Sequence, residues 1–229
     1  MTVSRTTIAA KVPIAVLVVE ASPPAETSSR PKPVLLFLHG KGEASPYPSE
    51  LPKVLFHLSP PFRALTNELR GVTVLAPQAP RLPDDDWNWR EYVNEMGAFL
   101  KATYPDRPIR ATGFSRGGLG VLQLVGAHPG MIERWAIVDP QRAASTEEQA
   151  ALTPTKSDAN NGWLRFGNQL KNNTPFSRHI ASALPPDRSQ FVEMDHAELA
   201  LKAFSGSPLD GTQDLYAFLG LSFVQSIAG

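Results

Sequence analysis

The chain has 229 residues, with 22 Lys plus Arg balancing 22 Asp plus Glu for a formal net charge of zero. That balance lacks the basic excess on which nucleic-acid binding draws, and 42% hydrophobic residues exclude wholesale disorder. No apolar run is long enough for a membrane span. With no cysteine, disulfides, Cys-ligated zinc and a thiol nucleophile are ruled out.

In chain order, MTVSRTTIAAKVPIAVLVVE reads as an opening strand or hairpin. Its apolar stretch is broken by Lys11 and Pro13, so it is no secretory leader and a cytoplasmic location is expected. Ala21–Pro33 is polar and Pro-rich, a surface loop and not a domain linker, since too little precedes it to form a core. Strand signals follow at Val34–Leu38, Val72–Leu75, Ile109–Thr112, Trp135–Val138, Trp163–Phe166 and Phe191–Met194. Several are continuously apolar, as in parallel strands covered on both faces. Helix-length stretches lie at Glu91–Thr103, Gly117–Ala127, Phe176–Leu184 and Thr212–Ile227. The alternation predicts an α/β fold, a doubly wound, mostly parallel sheet with helices on both faces. We read residues 1–229 as one domain, with a hairpin and Pro-rich loop over 1–33 and a core over 34–229. The short interval from Asp139 to Gly162 allows a helix at Thr146–Leu152 but no large cap domain, and Tyr47–Leu65, with four prolines, is expected to overhang the site in part.

The most informative segment is Ile109-Arg-Ala-Thr-Gly-Phe-Ser-Arg-Gly-Gly118. A strand ends, Gly113-Phe-Ser115-Arg-Gly117 follows and an apolar helix starts at once. This is the G-x-S-x-G turn in its strand–turn–helix setting, which thrusts the Ser115 hydroxyl above the sheet. Side chains at Gly113 and Gly117 would collide with neighbouring strand and helix. The competing reading is a Gly-rich structural turn. Leu38-His39-Gly40-Lys41-Gly42 directly follows another continuous apolar strand.

PVLLFLHGKGE followed some 70 residues later by TGFSRGG resembles the α/β-hydrolase superfamily. It is most similar to the small esterase branches: carboxylesterase/phospholipase-like, feruloyl-esterase-like and dienelactone-hydrolase-like proteins. The resemblance runs from about Val34 to the C-terminus. It implies that the backbone amides of Lys41 and Arg116 form an oxyanion hole and that His39 is a structural residue of the first loop.

A serine hydroxyl needs a general base. His196 directly follows the last strand signal, at the sheet edge where α/β sites form, and the chain order Ser-then-His fits. His57, His128 and His179 are read as structural. The third member is less plain. The family's usual position for the acid, the loop after the Trp163–Phe166 strand, holds no carboxylate, only Asn172 and Asn173. Asp139, at the end of the preceding strand, is preferred, a location some lipases of the superfamily use. Asp195 adjoins His196, but neighbours on an extended segment point apart.

Trp87 and Trp89 either wall a pocket or pack onto the sheet, and in either case Trp89 is preferred. Asp84–Asp86 read as a solvated acidic run. For Arg116 a structural salt bridge is preferred over attraction of a substrate carboxylate. No histidine spacing supports a metal site, and the glycine pattern is no phosphate cradle, so neither metal nor cofactor is expected. The reading is a serine hydrolase of small-molecule carboxylic esters. A weakly active or non-catalytic relative that binds a small ligand, and an acyltransferase or lactone hydrolase on the same site, are the alternatives.

Overall fold

The computed structural model describes residues 1–23, 31–80, 87–167, 174–208 and 213–224. Asn172, Asn173 and Asp84–Asp86 lie outside them. The chain opens with a hairpin of β1 (Thr2–Ile8) and β2 (Ile14–Glu20), then β3 (Val34–Leu38). A 3-10 segment (Pro48–Leu55) and α1 (Pro60–Leu65) lead to β4 (Leu69–Arg70) and β5 (Thr73–Pro77). A 3-10 turn at Trp89–Tyr92 runs into α2 (Val93–Thr103). Then come β6 (Ile109–Phe114), α3 (Arg116–Ala127), β7 (Arg134–Val138), α4 (Thr146–Ala151), α5 (Lys156–Ala159) and β8 (Gly162–Phe166). The chain continues through α6 (Thr174–Ala183), β9 (Ser189–Phe191), α7 (His196–Phe204), α8 (Leu215–Phe218) and β10 (Ser222–Phe223).

Eight strands form one sheet in the order β1-β2-β5-β3-β6-β7-β8-β9. From β5 to β9 neighbours run parallel, while the hairpin adds two antiparallel strands at one edge. The period-2 geometry of a strand splits the buried β3 between two cores. Val34, Leu36 and Leu38 join the layer of α2, α3 and α6, through Met96, Leu100, Leu122 and Ile180. Leu35 and Phe37 join the layer of α1, α7 and α8, through Ala64, Leu199, Phe204 and Tyr216. Continuous apolar runs are what a strand covered on both faces requires. Among the described residues no helix is long and apolar enough to cross a membrane.

Two predicted elements differ. In place of a helix over Thr212–Ile227, the described part holds a single turn at Leu215–Phe218 and then β10, which pairs with β4 in a separate small sheet. The cause is Gly220. At φ 62° it ends the helix in a paired cap: its N–H donates to Ala217 O at 3.0 Å and the Leu221 N–H to Tyr216 O at 2.8 Å. The last strand is Ser189–Phe191 and not Phe191–Met194. The Val192 N–H still reaches Phe166 O at 2.9 Å, but the chain then turns, because Asp195 caps a helix that the sequence reading missed.

Leu36→Ala empties a site between β5 and β6 in the middle of the sheet. It is expected to cost about 3 kcal/mol, read as a lowered urea midpoint. Ser4→Ala, on the exposed edge strand, should stay within about 0.5 kcal/mol of the parent.

Candidate active site

From β3 the chain crosses to β5 on one side, and β6 is then laid down on the other. Such a reversal of strand order opens a crevice at the carboxyl ends of the two strands. The turn after β6 carries Ser115 at φ 55°, ψ −119°, a left-handed backbone for a residue that is not glycine. A conformation of this kind costs about 1–3 kcal/mol and persists only where the surroundings impose it. Here they do. The Ser115 N–H donates to Val138 O at 3.1 Å, and its carbonyl accepts from the Gln141 N–H at 2.9 Å and the Leu119 N–H at 3.2 Å. The flanking glycines are required by contact: a Cβ on Gly117 would overlap the Leu38 and His39 carbonyls, and one on Gly113 the Gly117 carbonyl.

The loop after β3 lies beside this turn. A Cβ built on Gly40 would stand 3.6 Å from the Ser115 Cβ. His39 is fully buried, and its two ring nitrogens have assigned partners. The Ala79 N–H donates to Nε2 at 2.9 Å, so Nε2 carries no proton and Nδ1–H donates to Gly40 O at 2.7 Å. Burial lowers the imidazole pKa to about 4, so the ring is neutral. In a planar trans peptide the carbonyl and the next N–H point in opposite directions. By holding the Gly40 carbonyl, His39 therefore turns the Lys41 N–H away from itself. The Glu43 carboxylate lies 3.7 Å from Nδ1, and burial pushes its pKa up.

After β7 the chain bends again at Asp139, φ 41°. The Asp139 N–H donates to Arg165 O at 2.7 Å, and its carboxylate, 1% exposed, accepts from the Gly167 N–H at 3.2 Å on Oδ1 and faces His196 Nδ1 at 2.6 Å on Oδ2. A buried carboxylate needs such donors to offset lost hydration. His196 is not on a free loop, as the sequence reading placed it, but is the first residue of α7. Asp195 is its N-cap and accepts from the Glu198 N–H at 2.7 Å, which takes Asp195 out of contention as the histidine's partner. The Asp-x-x-Glu spacing carried that signal in the sequence. The imidazole lies against the ring of Phe114, centroids 4.2 Å apart, one residue from Ser115.

No family model matches the sequence, and no curated protein does. Solved structures match the backbone. A thermostable esterase superposes with a TM-score of 0.62 at 15% identity over 96% of this chain, which spans 63% of that protein's length. A CIB-like hydrolase from Thermoplasma acidophilum matches at 0.56 and 16%, covering 86% of this chain and 89% of its own. A lidless α/β serine hydrolase from Xanthomonas campestris matches at 0.56 and 14%, covering 89% and 94%. The fold is that of the α/β-hydrolases. At these identities the likeness is one of fold.

On this α/β-hydrolase scaffold the remaining candidates lie on the segments that follow β3, β5 and β6. Lys41 is exposed, and Arg116 is half-buried at the first position of α3. The Arg116 guanidinium donates to Gln141 Oε1 at 3.0 Å and to the Trp87 carbonyl at 3.2 Å, and lies 5.0 Å from the Trp87 ring centre. Trp89 both lines a cavity of about 320 Å³ and packs at 1% exposure. Its ring fills the notch left by Gly120 and meets His39 edge-on at 5.1 Å. The other histidines hold structure together: His128 Nε2 lies 3.0 Å from Val93 O, His179 Nε2 lies 2.8 Å from Thr153 Oγ1, and His57 packs on Phe62.

His39 makes a signed prediction. Its folded pKa of about 4 lies below the ordinary 6.5, so the unfolded chain binds the proton more readily. Its contribution is present above pH 6.5 and is lost as pH falls towards 4, by about 3 kcal/mol in all. Glu43, pushed the other way, contributes with opposite sign. Denaturant titrations should therefore show parent and His39→Gln converging in stability as pH falls from 6.5 to 4. Parallel curves across that window would rule the neutral, buried imidazole out.

Proposed function

We propose that the protein is a serine hydrolase that cleaves carboxylic esters through an acyl-enzyme. The observation that carries this reading is the strained Ser115 at the switch point, next in sequence to Phe114, whose ring packs on an imidazole whose Nδ1 faces the buried Asp139 at 2.6 Å. In this mechanism Asp139 fixes the tautomer of His196 with the proton on Nδ1 and stabilises the imidazolium once it forms. Nε2 is then the base. The hydrogen bond from a serine hydroxyl to such a base tightens in the substrate complex.

Ser115 Oγ attacks the ester carbonyl carbon while Nε2 takes its proton. The oxyanion of the tetrahedral intermediate is received by the Lys41 N–H, oriented through His39, and by the Arg116 N–H at the open start of α3, where the helix dipole adds to it. Each such donor is worth about 3–4 kcal/mol. The imidazolium passes its proton to the departing alkoxide, which leaves as alcohol. Water, deprotonated by Nε2, then attacks the acyl-enzyme and releases the acid. The short α4 and α5 between β7 and β8 are the only helices of that interval among the described residues, and they fit an open cleft for modest-sized esters.

A fluorophosphonate probe should label the folded protein at Ser115, and Ser115→Ala should abolish both labelling and p-nitrophenyl ester turnover; folded protein that takes no label would favour a non-catalytic binder. Asp139→Asn is expected to lower kcat by roughly 10⁴, while Asn173→Ala changes little. The opposite ranking would move the acid out of β7.

A further inference from the structure

The turn after β3, Gly40-Lys41-Gly42-Glu43, is held by side chains more than by packing. Among the described residues, a Cβ built on Gly42 would meet nothing within 4 Å. The peptide groups on either side of Gly40 are instead gripped one by one. The His39 carbonyl accepts from the Trp89 indole N–H at 3.4 Å, and the Gly40 carbonyl accepts from His39 Nδ1–H at 2.7 Å. Gly40 is buried, so its own N–H also needs an acceptor. Glu43 reaches back across the turn to this point. Its Oε2 stands 3.6 Å from the position that a Cβ on Gly40 would take and 3.7 Å from His39 Nδ1. Burial pushes its pKa up, while hydrogen bonds with the Gly40 and Glu43 backbone favour the charged form, as N–H donors to a carboxylate do.

Glu43 is also fixed from the other side. Its carbonyl accepts from Gln78 Nε2 at 2.8 Å, and the same amino group donates to Glu50 O at 2.9 Å. Two residues on, the Ser45 N–H donates to Ala79 O at 3.0 Å. Gln78 and Ala79 directly follow β5, so the carboxylate hangs from a segment tied to the sheet. Its far end meets the turn after β6: the Gly40 Cβ position lies 3.5 Å from Phe114 Cδ1 and 3.6 Å from Ser115 Cβ. A negative charge this close would oppose an oxyanion formed at Ser115. What the side chain offers the chemistry is therefore its acceptor geometry, which a neutral amide of the same shape also has.

We infer that Glu43 is a positioning residue: its carboxylate holds the Gly40 N–H while His39 holds the Gly40 carbonyl, and together they fix the direction in which the Lys41 N–H projects. The consequence for ester cleavage rests on the hydrolase reading; the clamp itself does not. Backbone amide exchange followed by NMR and steady-state kinetics with p-nitrophenyl acetate read the two parts separately. In Glu43→Ala the Gly40 amide should exchange at least tenfold faster. kcat should fall at least tenfold with KM unchanged, the mark of an interaction that serves the transition state alone. Glu43→Gln, which keeps an acceptor for the Gly40 N–H, should bring both quantities back to within about threefold of the parent. Gly40 exchange unmoved in Glu43→Ala, a Gln variant no better than the Ala variant, or a loss confined to KM would overturn the assignment. Exchange altered as expected in a protein whose parent form cleaves no ester would keep the clamp and reject the hydrolase. Parent turnover that Glu43→Ala leaves intact would keep the hydrolase and reject Glu43 as a positioning residue.

Discussion

At the start of α3 the backbone of Gly117 lies against the carbonyls of Leu38 and His39 with no room for a side chain between them. This approach of backbone to backbone sets the distance between the end of β3 and the turn after β6. Everything chemical in the site depends on it. The Gly40 loop and Ser115 belong to segments some seventy residues apart, yet they stand within one Cβ contact of each other. The proposed mechanism, in which a hydroxyl and an amide act on one carbonyl group, needs that proximity, and side chains in the gap would set them apart.

The second constraint is the stitching of the turns that follow β6 and β7. Of the four non-glycine residues with positive φ among those described, two are Ser115 and Asp139. Each is at the carboxyl end of a central strand, and each is clamped by neighbouring backbone. The Ser115 amide is tied to Val138, its carbonyl to Gln141, and the Asp139 amide to Arg165. The bonds run from β6 to β7 and from β7 to β8, so neither turn can relax without breaking contacts to the next strand. Strain concentrated in this way is a mark of function when the surroundings over-determine it.

Much of this was legible in the sequence because it is written in local patterns. The five-residue apolar run of β3 and the glycines about Ser115 each dictate a conformation within a few residues. What escaped was set by tertiary partners or by a signal read at the wrong scale. The segment after Thr212 has helical periodicity, but one glycine that adopts a left-handed backbone stops the helix after a single turn and releases Ser222–Phe223 to pair with a distant two-residue strand. The start of α7 was written as Asp195-His-Ala-Glu198, a helix N-terminus, but the apolar run before it reads as a strand to Met194 and made the segment look like the loop that follows. The pairing of Asp139 with His196 joins residues on different elements, 57 positions apart. No local pattern encodes such a contact; chain order and strand position could only nominate it.

His39 and Trp89 show how the loop after β3 is kept in register with the rest of the sheet. The His39 ring bridges the Gly40 carbonyl to the Ala79 N–H, which ties the loop after β3 to the segment after β5. The Trp89 indole reaches the His39 carbonyl at 3.4 Å and seats in the notch that Gly120 leaves on α3. These contacts close a triangle among β3, β5 and α3. A charged imidazole would have no lone pair for the Ala79 N–H, and one side of the triangle would open. Burial, which lowers the pKa of His39 to about 4, therefore keeps the ring neutral and able to accept from the Ala79 N–H near neutral pH. On this view Trp89, which the sequence leaves open between a pocket wall and a sheet-packing residue, holds His39 in place.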